Sequence, residues 1–471
     1  IPFRLLKSVA HRLSFLDGIP EAEQIADEWL SPGGLVGSPD QLTEDLQQIF
    51  LYVAPLRPAL ASECLERAFM NMDDAQTARL CAPYIDFLQW LAHDARVFGP
   101  CVTLLIRVRA GTERKSDSKL LHDQFFHLFQ AYLSGTHATV EQRIAILESL
   151  LLQPSRSARF AIGIAGLKSL LKSRDFTGSD WRFGTSSRDY GLWPQGEGFR
   201  HWFRMTLAFC ERLDRRGGEL GVQVRAAVAE ELRDLWLCEA VYPELQSLAK
   251  SFSKRRFWPE GWIAANSIGR WRGDELTKSS QAALPRLVSA LRPNTLEDRA
   301  LTFAQRKMQT LYFEMQDYEE DYTAVERRVS DEGVKLGGEL ASDLETLRAV
   351  LPALLNREMF VPVHSLAAGL AGKLRNPASV WALLHCSYLE LSEDERKPEL
   401  LAVFLSSLQK KRATFVETAL EKLSHDPEFA PDFPRIQCAV IPGPKGVARL
   451  IQSMKSDTVA SSSYEAIANV S

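Results

Sequence analysis

The chain lacks a charge of one sign, a cysteine pattern and a long apolar run, and each shortage removes a class of function. Its 471 residues carry 56 Lys and Arg against 60 Asp and Glu, a net charge of −4. A surface built for nucleic acid or anionic lipid has a basic excess, and this sequence has none. The seven cysteines (Cys64, Cys81, Cys101, Cys210, Cys238, Cys386 and Cys438) are odd in number and form no CxxC. They read as reduced, buried thiols of a cytoplasmic protein, not as a disulfide framework or a zinc site. No apolar stretch approaches the roughly 20 residues of a membrane span, and there is no secretory signal pattern, so no membrane partner is expected.

Catalytic signatures are equally scarce. There is no GxSxG, and no cysteine has a histidine at an informative spacing. AIGIAGLKS at 161–169 resembles a phosphate-binding loop only superficially, because its Gly–Lys spacing is wrong and it falls inside a helical pattern. His122 and His127 are off the i,i+4 spacing that would aim two ligands one way. The acidic run Glu314, Asp317, Glu319, Glu320 and Asp321 lacks the spacing and the glycine of a Ca²⁺ loop and reads as a solvated helix face. The segment is therefore expected to be no enzyme, with no catalytic, cofactor-binding or metal-ligating residues. Binding is the expected activity.

What the chain does have is helical period. Phe3, Leu6, Val9, Leu13 and Leu16 fall at spacings of three and four, as do Leu42, Leu46, Ile49, Phe50 and Val53. Residues 58–70 and 75–92 form a further expected pair of helices, and GPCVTLLIRVRAG from Gly99 is read as helix despite its β-branched residues. GTERKSDS at 111–118 is a solvated linker. Beyond it, Thr139 and Gln142 make a capping-box pattern ahead of Val140, Ile144, Leu147 and Leu151. A second helix runs through Ala161, Ala165 and Leu170, whose small residues permit close packing. The two together resemble a HEAT-like repeat unit. Helical pairs return over 284–315 and 338–424, with breaks expected at Pro293, Pro352, Pro362, Pro377 and Pro398. IPGPKG at 441–446 leads into a last amphipathic helix, VARLIQSM.

These signals predict an all-α solenoid of HEAT/TPR-like helix pairs interrupted by one irregular insert. Its expected divisions are 1–115, 116–175, the aromatic-rich 176–275, 276–455 and a fraying tail at 456–471.

The insert is the most distinctive stretch. Between Phe176 and Phe203 lie eight aromatics, together with five glycines and Pro194 that break any regular period. Two readings stand open. Arg188, Asp189, Tyr190 and Trp193, with Trp258 and Trp262 of a second aromatic patch, are either a buried structural anchor or a recognition surface. The basic run Lys250, Lys254, Arg255 and Arg256 beside Phe257 and Trp258 is the one candidate for nucleic acid, since cations and rings together hold single strands. Against that stand 15 basic and 15 acidic residues over 175–275, which cancel.

FHLFQAYLSGTHATVEQRIAILESLLL (126–152), FGTSSRDYGLWP (183–194), FWPEGW (257–262), LVSALRP (287–293), LAVFLSSL (401–408) and GVARLIQSM (446–454) carry a family resemblance. Together they resemble the C-terminal regions of large bacterial STAND-type NTPases. The resemblance spans about residues 1 to 468, and SRDYGLWP is its most distinctive element. In that family an effector such as a nuclease or a sirtuin-like NADase precedes a P-loop ATPase, which uses ATP and Mg²⁺, and then a helical-repeat sensor. Several members act in anti-phage defence, binding a viral protein and assembling into homo-oligomers. The resemblance implies a sensor that engages a protein trigger and controls upstream NTPase and effector domains. Nothing resembling the Walker motifs lies in this sequence. An intramolecular scaffold unrelated to defence and a nucleic-acid-binding repeat are the alternatives.

Overall fold

The computed structural model describes residues 3–112, 125–176, 178, 182–183, 186–187, 189–271, 273–304, 322–356, 361–372, 376–455, 459 and 463–464. Among them the protein is all-α, with 23 helices packed against one another. A two-residue antiparallel ladder, Arg182–Phe183 with Ser186–Ser187, is the sole strand pairing among the described residues. The chain divides into two compact units, Ile1–Ala290 and Leu291–Ser471.

The first unit opens with α1 (Phe3–Leu13), α2 (Pro20–Leu30), α3 (Glu44–Val53), α4 (Pro58–Phe69), α5 (Asp74–Cys81), α6 (Ile85–Leu91) and α7 (Phe98–Ala110). It continues with α8 (Val140–Leu151), α9 (Ala158–Leu171), α10 (Glu197–Arg215), α11 (Gly218–Leu235), α12 (Tyr242–Arg255), α13 (Pro259–Trp271) and α14 (Lys278–Leu291). Neighbours pack on neighbours: α8 on α9, α9 on α11, α10 on α11 and α12, and α11 on α13. Such near-neighbour packing is the solenoid pattern.

Local chemistry accounts for the central pair. The capping box at α8 is formed, with Gln142 N–H donating to Thr139 Oγ1 at 3.4 Å and Thr139 N–H to Gln142 Oε1 at 2.9 Å. Val140, Ile144, Leu147 and Leu151 are buried, as their period requires. A Cβ on Gly166 of α9 would come within 2.5 Å of Leu147 Cδ2, so the two helices approach closely because that glycine has no side chain.

Three expectations are corrected. Residues 75–92 make two helices, because Pro83 lacks the N–H to continue one and a 3₁₀ turn at Ala82–Tyr84 intervenes. In and just after α1 the expected stripe holds only in part, because Leu13 is buried and Phe3 and Leu6 are partly buried while Val9 and Leu16 stay exposed and Ala10 takes an inward place. Pro352 does not break its helix but sits inside the last turn of Leu344–Leu355.

The second unit comprises α15 (Leu296–Ala304), α16 (Tyr322–Leu340), α17 (Leu344–Leu355), α18 (Val361–Gly372), α19 (Pro377–Leu389), α20 (Glu399–Leu408), α21 (Ala413–Ser424), α22 (Phe433–Ala439) and α23 (Pro444–Ser453). Alternate helices stack, α16 on α18, α18 on α20 and α20 on α22. Backbones meet between the first two: a Cβ on Gly337 would lie 2.2 Å from Leu366 O, and one on Gly369 2.3 Å from Val334 O. In α23 the buried face mixes Leu450 with a cation. Arg449 is buried, held by Gln437 at 3.0 Å, Glu417 at 3.0 Å and Glu421 at 3.1 Å, while Val447, Ile451 and Met454 face outward.

One buried ion pair ties the aromatic third of the first unit together. Arg225 of α11 meets Asp214 of α10 at 2.6 Å, with side chains only 10% and 4% exposed. The same guanidinium donates to Arg256 O at 2.8 Å and Phe252 O at 3.0 Å, capping the end of α12 where carbonyls lack partners. Arg225→Met should therefore destabilise the protein, because Asp214 and two carbonyls lose donors. Breaking a buried pair costs about 3–5 kcal/mol. Arg255 still reaches Asp214 at 3.2 Å, so the expected loss is at the lower end, about 3 kcal/mol, read by chemical denaturation.

Glu231 of α11 gives the first unit a pH dependence. Burial pushes its carboxyl up to about 7, helped by Asp234 and Glu230 and opposed by Lys172 and Lys168. Between the ordinary carboxylate range and that value the folded chain keeps a proton that the unfolded chain releases, so stability falls as pH rises through this window. The full cost, at most on the order of 3 kcal/mol, is present above it. Glu231→Gln should flatten the fall, leaving stability at pH 4 unchanged and raising it at pH 8, as measured by denaturation at the two pH values.

Candidate functional site

The aromatic loop is docked by its backbone. Gly135 N–H donates to Tyr190 O at 3.2 Å and Leu192 N–H to Thr136 O at 2.8 Å, so 190–192 lies alongside the turn that precedes α8. Gly191 makes this approach possible. Its φ is +78°, and a Cβ there would fall 2.4 Å from Thr136 N. Farther along, Tyr132 Oη donates to Pro194 O at 2.5 Å, and the Tyr132 ring contacts Phe176, Trp193 and Phe199 at centroid distances of 5.1, 4.9 and 6.1 Å.

Beneath that turn lies Arg143, fully buried. It donates to Gln130 O, to Ser134 Oγ at 3.2 Å and to Thr136 O at 3.4 Å, and its guanidinium lies 4.8 Å over the Trp202 ring. Burial draws its pKa down to about 9, which leaves it charged at neutral pH. Among the described residues no carboxylate pairs with it. Carbonyl dipoles and a ring face stabilise the cation instead. Trp202, 1% exposed, in turn donates to Leu170 O at 3.1 Å and so caps α9.

At the edge of the same turn three side chains converge. His93 follows α6, His137 precedes the α8 cap, and Asp189 opens the docked loop. Asp189 Oδ1 is 3.1 Å from His93 Nε2 and 2.9 Å from His137 Nε2, and it also accepts the Gly191 N–H at 3.0 Å. The imidazole rings meet edge to face, 4.8 Å apart at 89°. His137 N–H donates to His93 O at 2.9 Å, so the two segments are also joined through the backbone. Side-chain exposure rises from 18% at His93 to 44% at His137 and 65% at Asp189. Partial burial raises the Asp189 carboxyl, but the Gly191 amide and the two imidazoles outweigh it and hold the group below its ordinary range.

The residues singled out from sequence separate into distinct environments. Tyr190 and Trp193 are 51% and 50% exposed, docked at the backbone yet half open to solvent. Asp189 is exposed as well, so the mostly buried setting expected of a plug does not apply to these three. Arg188 lies outside the described residues, as do Trp181, His122 and the acidic run 314–321. Trp258 is a core anchor, 1% exposed, with Nε1 donating to Arg225 O at 3.3 Å and its ring packed on Phe252 at 5.1 Å. A Cβ on Gly261 would strike that ring at 2.2 Å, so the glycine of FWPEGW is what admits the indole. Trp262 is half-buried.

In the basic run, Lys250, Lys254, Arg255 and Arg256 are exposed, but Arg255 is committed to Asp214 at 3.2 Å and Glu211 at 3.5 Å. Trp258 lies inside, so it offers these cations no exposed face for a base to stack on. AIGIAGLKS runs within α9, which is helix and not a phosphate loop. Among the described residues no helix is long and apolar enough to cross a membrane.

Sequence reasoning missed Arg143, Arg225 and the His93–His137–Asp189 cluster. His93 and His137 lie 96 and 52 residues from Asp189 along the chain, so no local spacing exposes the cluster. Compared with protein-family models, with curated proteins and with solved structures, the chain matches none.

Gly191→Ala should undock the loop. A non-glycine residue in the left-handed region costs about 1–2 kcal/mol before any clash, and here backbone atoms of Thr136 stand in the way. Amide exchange at Gly135 and Leu192 should accelerate markedly, while exchange in the α11–α13 core stays unchanged.

Proposed function

We propose that the chain is the target-sensing helical region of a STAND-type NTPase and that it engages a protein through the docked loop 189–199. The observation that carries the recognition part is the half exposure of Tyr190 and Trp193 on a backbone held by two hydrogen bonds to the Thr136 turn. Aromatic residues on a preorganised backbone provide contact area at low ordering cost, and Trp and Tyr are the side chains that most often dominate interface energetics. The family part rests on SRDYGLWP and its companion segments. In this reading the protein trigger, a viral protein in the defence members, binds one conformational state better and shifts the equilibrium toward an oligomer. ATP, Mg²⁺, the effector and the catalysis would belong to upstream domains, and the assembly would work in the cytoplasm. A nucleic-acid role is disfavoured by the pairing of Arg255 and the burial of Trp258.

The test uses the full-length protein in infected cells. Tyr190→Ala is the first probe, and Trp193→Ala the second, which also removes a ring contact with Tyr132 worth about 0.5–1.5 kcal/mol. Losing one interface anchor costs about 2 kcal/mol or more of binding, roughly thirtyfold. Protection against infection should therefore drop steeply for Tyr190→Ala, with circular dichroism showing that the variant remains folded. Full protection by Tyr190→Ala and by the Tyr190→Ala/Trp193→Ala double variant would rule out this surface.

A further inference from the structure

We infer that His93, His137 and Asp189 form a binding site for a divalent metal ion of the zinc type, with His93 Nε2, His137 Nε2 and an Asp189 carboxylate oxygen as ligands. The site goes beyond the recognition role and stands whether or not the loop binds a protein.

The donor set is the first argument. Two neutral imidazoles and one carboxylate are the ligands of three-residue zinc and related transition-metal sites, which leave a further position for water. The three ligand atoms lie within 4.8 Å of one another. A tetrahedral ion with bonds of about 2.0–2.1 Å spaces its ligands by roughly 3.4 Å. The two imidazole-to-carboxylate separations, 3.1 and 2.9 Å, are already of that order.

Convergence is the second argument. Three nitrogens, those of His93, His137 and the Gly191 amide, point at the one oxygen Oδ1. A carboxylate offers about four lone-pair sites over its two oxygens, so three donors on one oxygen exceed its share. Two imidazole nitrogens aimed at one point, with ring planes at 89°, suit ligands around a shared ion. With an ion bound, each Nε2 uses its lone pair, the imidazole proton sits on Nδ1, and Oδ1 keeps only the Gly191 amide as a hydrogen-bond donor.

Preorganisation is the third. The ligand-bearing segments are already joined by the His137–His93 backbone bond and by the Leu192–Thr136 bond, both of which an ion would reinforce. The exposure of His137 and Asp189 provides an entry path and room for a water ligand. Such an ion would clip three distant chain segments together and fix the start of the aromatic loop.

The experiment uses the purified 471-residue chain, stripped with EDTA, dialysed, and titrated with ZnSO₄ and separately with CoCl₂. One zinc per chain is expected to bind with micromolar or tighter affinity. Zinc should raise the melting temperature in an EDTA-reversible way, and cobalt should show the visible bands of a four- or five-coordinate ion. His137→Ala and Asp189→Asn should each weaken zinc binding at least tenfold and abolish the cobalt bands. Both positions are exposed, and circular dichroism checks that the variants fold. His425→Ala, at another exposed histidine, serves as the control and should bind like the parent. Absence of stoichiometric zinc from the parent, or affinity unchanged in both His137→Ala and Asp189→Asn, overturns the proposal.

Discussion

A single buried cation organises the region around the aromatic loop. Arg143 sits on the inner face of α8, and every polar contact it makes is to the segment between Gln130 and Thr136. An unpaired charge in an apolar interior is expensive, so the segment must present its carbonyls inward to offset that cost. One of those carbonyls, Thr136 O, accepts from both the guanidinium and Leu192 N–H. The turn that holds the cation is thus the one that receives the loop, with Gly135 N–H donating to Tyr190 O. The order of dependence is thus from helix to cation, from cation to turn, and from turn to loop.

Trp202 serves the same arrangement from below. Its ring face carries the guanidinium, while its indole N–H closes the last turn of α9. One residue therefore links the helix before the insert to the one after it, which is why a long irregular segment can leave and rejoin the array without loosening it. Asp214 and Arg225 do comparable work one step farther along, joining α10, α11 and the end of α12. Polar pairs in both places replace apolar packing where three elements meet, and their directional bonds specify one arrangement among several of similar apolar area.

Much of the fold was legible because its determinants are local. A capping box, a buried helical stripe and small residues in α9 are all read within one turn or two, and each is present in the structure. Failures came where a distant partner decided. The apolar stripe at α1 places Leu13 correctly inward but also predicts Val9 and Leu16 there, and these are exposed while Ala10 is buried. In α23 period alone cannot show that Arg449 finds Glu417, Glu421 and Gln437 and so is buried beside Leu450 while Val447 and Ile451 are exposed. The His93–His137–Asp189 cluster has no local signature at all. Thr139 does fix where His137 stands, two residues ahead of the cap, but nothing near it announces what it will face. Aromatic content was the opposite case. It marked the insert correctly as unusual, while the difference between Trp258 in the core and Trp193 at the surface depends on Gly261 and Tyr132, not on the tryptophans themselves.

That difference bears on how one stretch can serve packing and recognition together. Anchoring needs buried side chains, and recognition needs exposed ones, so a loop fixed by its side chains has few left to offer. Here much of the fixing is done by backbone, with Tyr190 contributing its carbonyl, Leu192 its amide, Gly191 its missing Cβ and Pro194 its carbonyl, and the Asp189 carboxylate adds bonds to His93 and His137. Side chains at 190 and 193 are thereby left half exposed, with one edge of Trp193 packed on Tyr132. Ordering entropy has been met in the folded state, and a partner that covers those two rings gains apolar burial without first having to order the segment. A loop docked by backbone is rigid and open at once, a combination that neither a buried plug nor a free loop can supply.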